Sequence, residues 1–282
     1  MKYDLTQARK CIETLDKRRF DRALLGSGDA FRHIVSLVPL LLHLNHPALP
    51  GYVEDAPAGI ADFILSNYQQ NFLSKEHPEL VEYVQSAVNS DAVFTPILGI
   101  YVMGSFGSIS QTSASDLDIW ICHQDDLSEQ DQQRLAEKTK KITQWASTFH
   151  VEMHFYLMTQ KRFRNERYSD PLTKENSGSA QYMLLLEEFY RSAVRLSGKP
   201  LLWLHLWVED EKQYEAEVAR LVAEGELNPN DWVDFGGLGQ FSASEYFGAS
   251  LWQLYKGIDS PYKSVMKILL LETYAQEYPN AH

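Results

Sequence analysis

At 282 residues, with 44% hydrophobic and 12% aromatic content, the chain is long enough for one large or two modest domains around a packed core. Its 26 basic and 38 acidic residues leave a formal charge of −12, which argues against a general nucleic-acid or anionic-membrane surface. Two cysteines far apart, Cys11 and Cys122, exclude a disulfide framework; with no apolar signal region and no stretch approaching a membrane span, the chain reads as cytoplasmic, without membrane insertion.

In chain order, Leu5, Ala8, Ile12, Leu15, Ala23 and Leu24 fall on one helical stripe over residues 5 to 25, closed by Gly26-Ser-Gly28. A more apolar helix is expected over 29 to 44, with Phe31, Ile34, Leu37 and Leu41 inside and Pro39 kinking it or marking a junction. His43 and His46 follow, but with no third ligand nearby and with Pro47 and Pro50 close, they read as loop residues rather than a metal site. Residues 51 to 96 read as a connecting segment with short helices at 60 to 73 and 78 to 88.

The stretch from 97 to 123 carries the chemistry. An apolar run, Ile97 to Met103, stops at Gly104-Ser105; a hydroxyl-rich link follows, and a second apolar run, Leu117 to Cys122, is entered through Asp116 and Asp118. Strand, Gly-Ser turn, short connection and strand is the expected order. Side chains alternate on a strand, so Asp116 and Asp118 share one face, with Trp120, while Leu117 and Ile119 take the other. Two neighbouring carboxylates repel unless solvated or bridged by a cation, and hard oxygen donors at this spacing suit Mg²⁺. Gly104 lets the backbone approach a ligand, and Ser105 offers a hydroxyl and an N–H to phosphate oxygens.

Ser128-Glu-Gln-Asp131 resembles a capping box and opens a helix to about 148 carrying Leu135, Ile142, Trp145 and Ala146. Residues 150 to 158 alternate as a strand, with Val151, Met153, Phe155 and Leu157 on one face and Glu152, His154 and Tyr156 on the other. Strand, helix, strand places it in the same sheet as the two aspartates. Lys161, Arg162, Arg164 and Arg167 form the densest basic cluster, read either as a contact for a triphosphate tail or as a solvated surface.

The loop Asn176-Ser-Gly-Ser179 is expected to open an amphipathic helix with Leu185, Leu186, Phe189, Tyr190 and Val194, ended by Ser197-Gly198. Leu201 to Val208 reads as a strand, about 210 to 224 as an acidic helix, and Gly236-Gly-Leu-Gly239 as a turn without the context of a dinucleotide fingerprint. Helices over 242 to 256 and 261 to 274 close the chain, with Pro261 in a first turn, where its missing N–H costs nothing. No internal repeats or low-complexity tracts occur.

The strand-Gly-Ser, Asp-x-Asp pattern resembles the nucleotidyltransferase fold shared with DNA polymerase β. Tyr101-Val-Met-Gly-Ser, Ser115-Asp-Leu-Asp-Ile-Trp-Ile-Cys-His, Glu245-Tyr-Phe-Gly-Ala-Ser-Leu-Trp-Gln-Leu-Tyr-Lys and Asp259-Ser-Pro-Tyr-Lys together resemble the class I adenylate cyclases over essentially the whole chain. The resemblance implies an α/β (α+β) fold: N-terminal helices over 1–95, a nucleotidyltransferase sheet over 96–180 and a C-terminal helical region over 181–282. It implies conversion of ATP to cyclic AMP and pyrophosphate, with Asp116, Asp118 and Glu152 holding two Mg²⁺ ions, Mn²⁺ being an alternative. Gly104, Ser105, Ser115, Trp120 and Lys263 would meet the nucleotide, although Trp120 also reads as a core residue and Lys263 as an exposed helix lysine. A longer chain of this family would carry a regulatory C-terminal half addressed by sugar-transport phosphoproteins. Two other readings keep the same residues: a nucleotidyltransferase with a protein, tRNA or small-molecule acceptor, and a catalytically silent nucleotide-binding module.

Overall fold

The computed structural model describes residues 4–88, 95–109, 111, 115–165, 188–206, 208, 213–237, 243–258 and 260–277. By compactness the chain divides into two units. One comprises Met1–Gln160, Ser192–Leu206 and Asn228–Asp234, and the other Lys161–Arg191, Trp207–Leu227 and Phe235–His282.

Three helices and a sheet dominate the first unit. Helix α1 (Leu5–Leu25) starts at Asp4, whose carboxylate accepts the Gln7 N–H at 2.9 Å. Helix α2 (Asp29–His43) buries Phe31, Ile34, Val35 and the continuous run Leu37–Leu42. It runs through Pro39 as one helix, so the junction that was one of two expectations there does not occur. Burial of nine side chains outweighs the roughly 3 kcal/mol a helical proline costs.

The expected helix at 60 to 73 begins only at Asn67: α3 (Asn67–Glu76) is capped by Ser66, which with Gln69 completes a reciprocal capping box. The residues before it are not helical, and Asp62 sits in a turn with φ +50°. Ile60 bridges Ile97 in parallel, and Ala61 N–H and Gly59 O bond the Ile97 main chain at 2.9 and 3.1 Å. Main-chain pairing to the sheet therefore replaces the first helical turns. A short 3₁₀ turn, Pro78–Leu80, leads into α4 (Val81–Val88).

The sheet has four strands, β1 (Ile97–Met103), β2 (Leu117–His123), β3 (Met153–Met158) and β4 (Val194–Gly198), in the order β3-β2-β1-β4. The pairs β1/β2 and β1/β4 are antiparallel and β2/β3 is parallel. The parallel crossover is made by α5 (Glu129–Ser147), capped by Ser128, which accepts the Asp131 N–H at 3.1 Å. Helix α5 buries Leu135, Ile142 and Ala146, and these join α2 and one face of the sheet, Ile100, Val102, Leu117, Ile119, Ile121 and Met153, in the main core.

Two expectations in the C-terminal half are corrected. Val194 to Gly198 is not the end of a helix but strand β4, registered Tyr101↔Arg195 and Val102↔Val194, with helical residues ending at 192. Leu201 to Val208 is not a strand. It holds one isolated bridge, Leu201↔Val233, and a 3₁₀ turn over Trp203–His205, because β4 already occupies the open edge of β1. The loop at 176–179, Leu185, Leu186 and Arg167 lie outside the described residues.

In the second unit, α6 (Gln160–Asn165) leads from the sheet, and α7 (Tyr214–Ala223) receives Arg164 through Glu215, with Nη2 at 3.1 and 3.2 Å from the two carboxylate oxygens. A closing hairpin pairs α8 (Ala243–Lys256) with α9 (Pro261–Glu277), as expected, through Ala249, Leu271 and Tyr274. No helix of the described residues is long and apolar enough to cross a membrane.

Candidate active site

Strand directions decide which residues meet. β1 ends where β2 begins, with Met103 opposite Asp118. β3 begins at that same end, because it runs parallel to β2 and aligns His154 with Asp118. β4 also begins there, with Val194 opposite Val102. One end of the sheet therefore gathers Gly104, Ser105, Ser115, Asp116, Asp118, Glu152 and Ser192 although they come from four strands.

The turn after β1 is built on two glycines. Gly104 has φ +85° with no described residue within 4 Å of where a Cβ would stand, so the requirement there is for the left-handed backbone. Its N–H donates to Ser192 Oγ at 2.9 Å. The turn closes on Ser108, whose N–H and Oγ both donate to the Ser105 carbonyl, at 2.9 and 2.7 Å. Ser105, half-buried, donates from Oγ to Ser115 Oγ at 3.1 Å, joining the turn to the residue before the acid pair.

Asp116 is exposed and Asp118 half-buried, consistent with their entering the strand from its open end. Tyr156 donates from its hydroxyl to Asp118 Oδ1 at 3.4 Å. Trp120 lies deeper on the same face, 1% exposed, its ring 6.1 Å from that of Tyr156, to which it is registered. Glu152 stands one residue before β3. Its carbonyl accepts the Leu117 N–H at 3.0 Å, and its exposed carboxylate accepts from His154 Nε2 at 3.2 Å.

The spacing of the acids brings the three carboxylates to one sheet end. Three further residues there were not singled out from sequence. His154 and Tyr156 were legible as neighbours of Glu152 by alternation, but their pairing with Asp118 needed the register. Ser192 carried no signal, because it arrives with β4. Lys263 is exposed on α9; of the other two lysines of this hairpin, Lys267 is held by Glu188 at 2.6 and 2.8 Å, and Lys256 lies 5.3 Å over the Trp252 ring. His43, expected in a loop, is the last residue of α2: its Nδ1 accepts the Ile60 N–H at 3.1 Å, its ring stacks on Phe63 at 3.9 Å, and burial lowers its pKa to about 4. Cys122 is buried, and burial raises its thiol far above the ordinary range, which removes it as a nucleophile.

Among the described residues, no group of three or more His, Cys, Asp and Glu side chains stands ready to enclose a metal. The donors present still fit one kind of ion. Mg²⁺ is commonly held by one or two carboxylates, with substrate phosphates and water completing its shell, and Asp116 and Asp118 supply that pair beside an open turn.

The model described as "Adenylate cyclase NT domain" matches residues 4–204, and "Adenylate cyclase, class-I, second domain" matches 241–282. The chain belongs to the class I adenylate cyclase family. A relative named adenylate cyclase from Haemophilus influenzae is 68% identical over 99% of this chain and 34% of its own length. One from Pasteurella multocida is 62% identical over 100% and 34%, and one from Escherichia coli K12 is 46% identical over 95% and 31%. The chain thus spans about a third of the length of these curated relatives. No solved structure matches it. The class I NT-domain match contains the whole sheet end, from the turn through β4, and the second-domain match contains Lys263.

Proposed function

We propose that this chain carries the catalytic centre of an adenylate cyclase, forming 3′,5′-cyclic AMP and pyrophosphate from ATP. The observation that carries the reading is the Ser105–Ser115 hydrogen bond at the same sheet end as Asp118, in a chain of the class I family. That arrangement sets two hydroxyls, able to meet phosphate oxygens, at the same sheet end as a carboxylate pair.

In this reading the Gly104–Ser105 turn and the Ser115 hydroxyl hold the β- and γ-phosphate oxygens. Asp116, Asp118 and Glu152 would hold two Mg²⁺, or Mn²⁺, which when bound would lower the pKa of the 3′-hydroxyl and neutralise charge on pyrophosphate. Tyr156 fixes the rotamer of Asp118 through its hydroxyl, and Trp120 packs behind it as the wall toward ribose and base. His154 holds Glu152 before substrate arrives. The ribose 3′-oxygen attacks the α-phosphorus in line, the bond to pyrophosphate breaks, and the hydroxyl proton leaves to solvent. No protein nucleophile takes part, in keeping with the buried Cys122.

A cytoplasmic setting belongs to the same reading, supported by the free Cys11 and Cys122. The test is a product assay: protein with ATP and Mg²⁺, separated by chromatography, is expected to yield cyclic AMP and pyrophosphate without an added acceptor. Turnover that requires a protein or RNA acceptor would replace the reading with a nucleotidyltransferase, and binding without turnover with a silent module.

A further inference from the structure

We propose that Arg19, on α1, is a positioning residue that holds the phosphate turn in register with the acid pair. The inference rests on the reading of Gly104–Ser105 as a phosphate turn. Its evidence is independent of that reading, because it concerns what fastens the turn from behind.

A five-residue turn with two left-handed glycines is not rigid by itself: Gly104 and Gly107 have φ +85° and +64°. No described residue stands within 4 Å of where a Gly104 Cβ would be, whereas the inner side of the turn is tied to α1. Arg19 supplies this through one planar group. Nη1 donates to the Ser192 carbonyl at 2.7 Å and Nη2 to the Phe106 carbonyl at 2.6 Å. One guanidinium thus joins the turn to the residue that receives the Gly104 N–H on its own Oγ. A closed circuit results, running from Arg19 to Phe106, through the turn to Gly104, across to Ser192 and back to Arg19.

Three further contacts tie the same turn to the same helical layer. The Phe106 ring, 2% exposed, lies 5.9 Å from Phe20 and stacks on Phe31 at 6.3 Å. Gly107 passes so close to α1 that a Cβ would overlap the Arg19 carbonyl oxygen. Its N–H donates to Gln111 Oε1 at 2.6 Å, and Gln111 Nε2 donates to Ser27 Oγ at 2.8 Å just beyond α1. Arginine is the residue such a circuit needs, since its fixed fork serves two carbonyls at once, whereas a lysine ammonium on a flexible stem does not fix their separation. Displacement of a substrate-holding group by about 1 Å can cost a hundred-fold in rate, so the effect of this distant helix should appear in catalysis.

The test compares Arg19→Lys with Lys17→Ala, whose exposed partner Asp21 lies away from the turn. Arg19→Lys is expected to lower kcat/KM for ATP about ten- to a hundred-fold, to weaken ATP binding measured by calorimetry, and to speed amide exchange at Phe106–Ser108 while β2 and β3 stay protected. In a double-mutant cycle its loss should shrink strongly in a Ser105→Ala background, because both act through one group. Full additivity with Ser105→Ala, or unchanged exchange in the turn, would reduce Arg19 to an ordinary stabilising contact and overturn the proposal. Should Arg19→Lys fail to fold, Gln111→Leu cuts the other tether, with the same exchange signature expected and an unchanged turn as the overturning result. Wild-type protein that binds no ATP would defeat the phosphate reading itself, whereas wild-type binding that Arg19→Lys leaves intact would defeat only the role of Arg19.

Discussion

Ser105 Oγ lies 3.1 Å from Ser115 Oγ, so the hydroxyl after β1 and the one before β2 form one donor pair at the mouth of the antiparallel ladder. Either hydroxyl can turn toward a phosphate oxygen while the other holds it. Replacing Ser105 with Ala is expected to reduce kcat/KM by about one to two orders of magnitude, the loss of one transition-state hydrogen bond to charged oxygen. Ser115→Ala should cost less alone and almost nothing more once Ser105 is gone, which a double-mutant cycle on steady-state rates will show.

Asp118→Asn keeps the shape of the side chain and the acceptor for the Tyr156 hydroxyl while removing one of two adjacent charges. Cyclic AMP formation should fall below detection, and the melting temperature without Mg²⁺ should not drop, since like-charge repulsion is relieved. Glu152→Gln should impair turnover while leaving much of the Mg·ATP affinity. Unimpaired catalysis in Asp118→Asn would rule out the acid pair as the reacting centre.

Asp16 faces Arg195 beneath α1: it accepts the Arg195 N–H at 3.3 Å, and burial raises its pKa from 3.8 to about 6 despite that contact and the two nearby arginines. A carboxyl with a raised folded pKa holds its proton more tightly in the fold, so its stabilising contribution is complete below about pH 4 and lost as pH rises through 6. Asp16→Asn, a neutral isostere, should therefore raise the melting temperature at pH 7.5 by a few degrees, with the gain shrinking toward pH 4.5. A gain that is independent of pH would exclude ionisation of Asp16 as the cause.

Lys138 is 1% exposed on α5 and donates from Nζ to the Leu44 carbonyl at 2.8 Å and to Asn45 Oδ1 at 3.2 Å. Burial lowers its pKa from 10.5 to about 8. Between those values the unfolded chain binds more protons than the folded one, so stability should rise with pH across this window. Lys138→Met should abolish that rise. It should also destabilise at pH 7 by about 1–3 kcal/mol, because the Leu44 carbonyl loses a buried donor; chemical denaturation at pH 7 and 9.5 measures both.

The central motif was readable because its signals are local. The apolar run ending at Gly104-Ser105, the two-residue period of Asp116, Asp118 and Trp120, the Ser128 cap and the alternation through Tyr156 each depend on neighbours within one element, and the structure has strands and helix there. Chain-order alternation of strand, helix and strand even anticipated that β3 lies in the same sheet as β2. Residues 60–66 and 194–198 were misread for the opposite reason. Val194-Arg-Leu-Ser-Gly198 fits a helical stripe as well as a strand, and it becomes β4 only because β1 presents an unpaired edge; that contact joins Tyr101 to Lys199 across 98 residues of chain.

The sequence by itself determined which hydroxyls, glycines and carboxylates are available, and beside which strand ends they sit. Only the tertiary structure decided how those groups are held. Ser192 caps Gly104 because β4 starts at the same sheet end, Tyr156 reaches Asp118 through the parallel pairing of β2 and β3, and Arg19 grips the turn from a helix 87 residues earlier. Side-chain identity and alternation are properties of adjacent residues, whereas register and through-space hydrogen bonds exist only after distant segments have paired, and no local pattern encodes them.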